Sequence, residues 1–139
     1  MKKGYRIFGT TADVGVISHG SALEGAFEAQ AKGMFSVMTD LRGVRPAQVF
    51  IISAEGADEA GLLASWLEEL LFLYDTQGVL LREFQITALK GYKLTSEARG
   101  EAYDPVRHIV KTPIKAVTYH MLEVTEIKGG VRTRVVYDI

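Results

Sequence analysis

Apolar residues recur at three- and four-residue steps in two stretches of the chain and alternate or run together in most of the rest. That pattern predicts two amphipathic helices among several strands. In the first stretch Leu23, Ala26, Phe27, Ala31, Met34, Phe35 and Met38 fall on one side of a helix. Ser21-Ala22-Leu23-Glu24 in front of it has the Ser-x-x-Glu form of a capping box, whose hydroxyl takes one free backbone N–H while the carboxylate reaches back to another. Gly25 and Gly33 each weaken this helix by up to about 1 kcal/mol relative to alanine, so it must lean on tertiary packing. The second helix starts at Asp58, an N-cap followed by Glu59 in the first turn. Leu62, Leu63, Trp66, Leu67, Leu70, Leu71 and Tyr74 make its apolar stripe, and Gly78 is its terminator. Trp66 sits on this stripe, so it reads as a core residue rather than a ligand platform.

The remaining segments read as strands. Residues 49–54 form a short continuous apolar run, the pattern of a strand covered on both faces. Residues 79–89 place Leu80, Phe84 and Ile86 on one side, and Gly91-Tyr92 marks a tight reversal. From 92 to 102 the chain alternates: Tyr92, Leu94, Ala98 and Ala102 against Lys93, Thr95, Glu97, Arg99 and Glu101, as in an antiparallel strand with one wet face. Residues 117–127 and 131–137 flank Gly129-Gly130, a pair suited to a hairpin turn. Residues 5–8 and 14–18 are two more short strands, and 103–116, with Pro105 and Pro113, is a long irregular loop. The order predicts an α+β fold: one domain over 1–139, mostly antiparallel sheet packed against two amphipathic helices.

Composition narrows the possible functions. The chain has 139 residues, 47% hydrophobic, with 16 Lys+Arg against 17 Asp+Glu and no cysteine. A chain of this size buries enough surface for a core without disulfides or a structural metal. The lack of cysteine excludes thiolate metal sites and cysteine nucleophiles. Balanced charge argues against holding nucleic acid by phosphate neutralisation. No apolar stretch approaches the ~20 residues of a membrane helix, and Arg6 and Asp13 interrupt anything resembling a signal peptide after Met1-Lys2-Lys3, so a cytoplasmic location without membrane contact is expected. Phosphate-cradling loops, dinucleotide fingerprints and nucleophile elbows do not occur. His19, His108 and His120 lack the spacing of a zinc helix motif.

Three local patterns carry the candidate chemistry. In Gly9-Thr10-Thr11-Ala12-Asp13-Val14-Gly15, Asp13 sits between glycines beside two hydroxyls; it either closes a turn by accepting backbone N–H bonds or serves a ligand. At Val135-Val136-Tyr137-Asp138-Ile139 a β-branched and aromatic strand ends in an acid and a terminal carboxylate ionised at neutral pH. This end is either a solvated terminus paired with a surface cation or, should Asp13 approach it, part of a three-carboxylate cluster. Such a cluster would demand a hard cation, Ca²⁺ or Mg²⁺. In Lys115-Ala116-Val117-Thr118-Tyr119-His120, strand alternation would put Thr118 and His120 on one face. Lys115 and His120 would then contact phosphate or a partner's carboxylate, or be ordinary surface and half-buried residues.

These patterns, in this order, resemble the archease family. Its opening motif, His-Thr-Ala-Asp-(Ile/Val)-Gly, is similar to Thr11-Ala12-Asp13-Val14-Gly15, and its first helix resembles Ser21-Ala-Leu-Glu-Gly-Ala-Phe27. Trp66-Leu-Glu-Glu-Leu-Leu71, Asp75, Glu83-Phe84, Gly100-Glu101, the run 114–120 and the ending Val136-Tyr137-Asp138-Ile139 continue the likeness over essentially the whole chain. The resemblance implies a small, non-catalytic activator of an RtcB-type RNA-splicing ligase, promoting guanylylation of the ligase's histidine and its turnover in tRNA splicing and RNA repair. It implies a bound divalent metal, Ca²⁺ before Mg²⁺, held by Asp13, Asp138 and the terminal carboxylate of Ile139, with Lys115 and His120 as partner contacts. RNA would be met only indirectly, through the ligase, which suits the charge balance. Thr10 stands where the family often has His, so a partner contact by that imidazole is not carried over to this chain. The alternative is a general chaperone or adaptor for other RNA-modifying enzymes such as a tRNA methyltransferase; a weaker third is a metal-dependent hydrolase.

Overall fold

The structure is a computed structural model and describes residues 1–9 and 12–139. The first helix, α1, runs Leu23–Met38. Its N-cap is Ala22, without a side-chain cap hydrogen bond, so the capping box expected at Ser21 does not form. The preceding strand stays paired through Gly20, opposite Val131, and the backbone is still extended at Ala22 (φ −143°, ψ 173°), which moves the helix start one residue on. The buried residues of α1 include Gln30, Gly33 and Val37 as well as the predicted stripe, because sheets pack on two sides of it. Gly33 is a close-approach position. A Cβ there would lie 2.5 Å from Val16 Cγ1 and 3.1 Å from the Tyr5 ring, so the residue that weakens the isolated helix lets it seat on the sheet.

Helix α2 runs Glu59–Gln77 and has the ends its sequence predicts. The Asp58 carboxylate accepts the Gly61 N–H at 2.7 Å, and Gly78 closes the helix in the left-handed conformation (φ 66°). Asp58→Ala is expected to destabilise the protein by about 1 kcal/mol through loss of that acceptor, measurable as a lowered urea midpoint at unchanged slope.

Among the described residues eight strands form two antiparallel sheets, with α1 packed between them. In the larger, β1 (Gly4–Gly9), β2 (Asp13–Gly20), β8 (Gly130–Asp138) and β6 (Ala116–Val117) lie in that order, and β7 (Glu123–Ile127) also pairs with β8. In the smaller, β5 (Lys93–Ala102) lies between β3 (Gln48–Glu55) and β4 (Val79–Lys90). Helix α1 packs against β1, β2, β8 and β4, and α2 mainly against β3 and β6. The architecture is α+β. Among the described residues no helix is long and apolar enough to cross a membrane.

Four strand details differ from the sequence reading. β3 is an edge strand with one open face, not a doubly covered one: Val49 is 46% and Ile51 63% exposed. In β4 the register slips between Leu81 and Glu83, so Leu81 rather than Leu80 joins Phe84 and Ile86 in the main core cluster. The segment 117–127 is not one strand: it breaks after Val117, turns at 120–121 with Met121 at φ 59°, and resumes as β7. The hairpin turn before β8 is Lys128-Gly129, with Gly129 at φ 81°, and Gly130 is the first strand residue.

The core is aromatic at its centre and holds a buried polar cluster around Gln30. Trp66 is fully buried, stacks on Phe27 (6.3 Å between centroids), meets Phe84 edge-on, and donates its indole N–H to Ser96 Oγ at 2.9 Å. Gln30 from α1 donates to the Val16 carbonyl (3.0 Å) and Thr133 Oγ1 (2.7 Å) and accepts from the Tyr137 hydroxyl (2.8 Å). These bonds fix α1 against β2 and β8, the two strands that frame the candidate site.

Candidate functional site

Alternation along β2 sends Val14, Val16 and Ser18 into the core and leaves Asp13, Gly15 and Ile17 on the outer face. Along β8, Thr133, Val135 and Tyr137 point inward, so Arg134, Val136 and Asp138 share that outer face. The two strands pair with Asp13 directly opposite Asp138 and Gly15 opposite Val136. Directly opposed residues carry their Cβ atoms about 4.5–5.5 Å apart on the same side of the sheet. Two carboxylates separated by 125 positions in sequence therefore face one another across a single pair of strands, and Ile139 follows immediately.

On its other side Asp138 is held by the strand that contains the third pattern. Ala116 pairs with Asp138, Val117 pairs with Tyr137, and the Lys115 N–H donates to the Asp138 carbonyl at 2.8 Å. Next to the carboxylates the outer face is apolar. Phe8 lies over Gly15 so closely that a Cβ on that glycine would meet the ring at 2.1 Å, and Val136 is buried. Sequence reasoning missed Phe8 and Val136. The signal was there: a lone glycine in a strand pattern marks a place where another group approaches closely.

The oxygen-only donor set suits a hard divalent cation, which takes carboxylates and tolerates irregular geometry when it is Ca²⁺. Among the described residues no three His, Cys, Asp or Glu side chains gather, so the three histidines form no joint site. The candidate set is two aspartates and a terminal carboxylate. Asp13 also interacts with other groups of the protein. The Thr10 and Thr11 hydroxyls read beside it, and the Thr10-for-His departure, lie outside the described residues.

Lys115 and His120 are both exposed. They do not lie on one continuous strand, because regular pairing ends at Val117; Thr118 Oγ1 donates instead to the Val136 carbonyl at 2.7 Å and accepts the His120 N–H at 3.3 Å. The third pattern thus has its Lys end beside Asp138 and its His end in the following turn.

The irregular loop leading to Lys115 is clamped near its start. Glu101 receives Arg107 Nη2 at 2.7 Å, the Arg45 N–H at 2.7 Å and His108 Nε2 at 2.9 Å. His108 is buried; its Nδ1 accepts the Asp104 N–H at 2.8 Å, which places the ring proton on Nε2. The Arg107 guanidinium, with the Arg45 N–H and His108, holds the Glu101 carboxyl at about 2, below its ordinary 4.5. A depressed carboxyl favours the folded state above its ordinary value and loses that contribution as pH falls toward the folded one. Amides of residues 103–110 are expected to lose hydrogen-exchange protection between about pH 4.5 and 2, and Glu101→Gln should flatten that dependence.

Residues 5–139 match the model of the Archease protein family (MTH1598/TM1083). The chain is 39% identical to the "Protein archease" of Pyrococcus abyssi over 123 residues, covering 86% of this chain and 87% of that one. It is 37% identical to that of Methanothermobacter thermautotrophicus over 140 residues, covering 99% of each. The solution structure of Methanobacterium thermoautotrophicum protein 1598 superposes with a TM-score of 0.86 at 36% identity, over 98% of this chain and 99% of that one. The crystal structure of an archease, described as a possible chaperone, from Thermotoga maritima shares the fold (TM-score 0.66, 18% identity, 100% and 98% covered). With the family matched from the first strand to the last residue and relatives this similar over nearly their full length, the chain belongs to the archease family.

Proposed function

We propose that this protein is a non-catalytic activator of an RtcB-type RNA-splicing ligase and that its working part is a divalent cation held by Asp13, Asp138 and the α-carboxylate of Ile139. The observation that carries the reading is the register pairing of Asp13 with Asp138 in a chain of the archease family. Two carboxylates on one face of a sheet, with a third one residue away, make an oxygen donor set that a cation between them can bridge. A hard ion satisfies that set, Ca²⁺ first. The metal-bridged corner would dock at the ligase's nucleotide site and favour the conformation that accepts a guanylyl group, acting through its preference for that state. Lys115, beside Asp138, and His120, in the following turn, supply partner contacts.

The test is single-turnover guanylylation of a cognate RtcB-type ligase with GTP, with and without this protein. The activator accelerates it, and Asp13→Asn abolishes the acceleration while leaving the circular dichroism spectrum unchanged. Equal rates with and without the protein would overturn the reading.

The Thermotoga maritima archease, described as a possible chaperone, favours a second reading, a general chaperone or adaptor, and exposed Val106 and Ile109 provide apolar surface for it. A chaperone would suppress aggregation of unrelated proteins, and its activity would survive Asp13→Asn.

A further inference from the structure

Most strand edges of this molecule carry something that discourages a further strand. β4, one edge of the smaller sheet, is broken by register slips after Leu81 and after Ile86, and its Ile86 N–H is taken by the Glu28 carboxylate at 2.8 Å. β1 carries Arg6 in its middle, β6 is two residues long, and β7 carries Glu123 and Glu126. Charges, bulges and shortness are the means by which proteins keep a sheet edge from pairing with another chain.

β3, the opposite edge of the smaller sheet, has none of them. It pairs with β5 over eight consecutive residues without a slip, and residues 48–54 include no charge, proline or glycine. Val49 and Ile51 point outward from it, 46% and 63% exposed. Among the described residues no turn or loop backbone bonds to β3, and the one side-chain bond to its backbone, from Ser96 Oγ to the Ile52 carbonyl, comes from β5. The outer edge of β3 therefore leaves its backbone groups to solvent beside two exposed β-branched side chains.

The strand is complementary to itself. Directly opposed residues of an antiparallel pair lie on the same side of the sheet. Two β3 strands related by a twofold axis normal to the sheet meet this condition only when the axis passes through a residue. An axis at Ile51, the centre of the uncharged stretch, sets Ile51 against the partner's Ile51, Phe50 against the partner's Ile52 and Val49 against the partner's Ser53. An axis at Ile52 would set Val49 against a glutamate instead. With the axis at Ile51, Glu55 falls opposite the partner's Ala47, two residues from the partner's Arg45. Arg45 is exposed and has no ion pair among the described residues, so unlike charges approach at both ends of the junction.

We infer that β3 is a self-association edge, through which two copies of this chain pair antiparallel about a twofold axis at Ile51 and join two three-stranded sheets into one of six strands. Such a contact uses the same surface on both copies, so it closes at two instead of growing into a filament. The inference goes beyond the activator reading and is independent of it, because Asp13 and Asp138 belong to the other sheet.

Sedimentation velocity of the full chain at rising concentration is expected to show a monomer–dimer equilibrium. Ile51→Lys opposes like charges at the axis and should weaken dimerisation at least about tenfold. Its circular dichroism spectrum and thermal midpoint should match wild type, since the side chain is already exposed. Cysteines then read the register, as the chain has none of its own. Ile51→Cys brings two thiols together at the axis, and mild oxidation should link the dimer. Val49→Cys leaves its two thiols about 13 Å apart along the strands, too far to bridge. Wild type that stays monomeric at every concentration, or Ile51→Lys that dimerises like wild type, would overturn the inference. Equal linking at positions 49 and 51 would overturn the axis at Ile51.

Discussion

Trp66→Ala is expected to be the most damaging single truncation in the core, costing about 3–5 kcal/mol. The indole is fully buried and joins both helices to the smaller sheet: it stacks on Phe27 of α1, meets Phe84 of β4 edge-on and hydrogen-bonds Ser96 of β5. Truncation removes the transfer free energy of the ring and leaves a cavity whose walls belong to three different elements, so no single one can move in to fill it. Ser96 Oγ keeps its bond to the Ile52 carbonyl at 2.9 Å, so the loss arises mainly from packing. Urea unfolding followed by circular dichroism is the appropriate measurement, since the protein's one tryptophan is the residue removed. Trp66→Phe should recover part of the loss. A cost below about 1 kcal/mol for the alanine variant would show that the core closes over the gap.

The second large effect is expected at the proposed cation site. Extending the chain past Ile139 by even a few residues converts a carboxylate into an amide and removes one anionic ligand from the proposed cation site. Ca²⁺ affinity measured by calorimetry should fall at least about tenfold, in line with a site whose strength follows its count of charged ligands. Stability in the absence of metal should stay within about 0.5 kcal/mol, because the strand pairing through Asp138 does not involve the added residues. Asp138→Asn should give a comparable loss of Ca²⁺ affinity. An extended chain that binds Ca²⁺ as tightly as the original would remove Ile139 from the ligand set and leave the two aspartates.

Much of this molecule is legible in its sequence where local chemistry decides the outcome. Asp58 and Gly78 bound α2 because a side-chain acceptor and a left-handed glycine act within a few residues. The alternation of residues 92–102 corresponds to β5 in its middle, with Leu94 and Ala98 buried and Lys93 and Arg99 exposed, while Tyr92 and Ala102 at the two ends are exposed. The misreadings arise where distant partners decide. Residues 49–54 are apolar enough for a covered strand, but nothing local reveals that β3 has a neighbour on one side only. Ser21 has the right spacing for a cap, yet pairing of Gly20 with Val131 keeps the chain extended past it. The slip after Leu81 is set by the match between β4 and β5, which neither strand shows alone. At the site, alternation could assign Asp138 a face. Its position opposite Asp13 depends on a register fixed by Gln30, Thr133 and Tyr137 deep in the core.

The placement of β8 carries a consequence for how the protein forms. The β1–β2 and β4–β5 pairs join neighbours in sequence and can assemble early, but β8 slots in beside β2 across more than a hundred intervening residues. Closing so long a loop is entropically costly before its contacts repay it, and topologies rich in such distant pairings fold slowly. The two aspartates come into opposition in that closing step. A partly folded chain would hold them apart, and their pairing is a mark that the whole molecule has reached its native state.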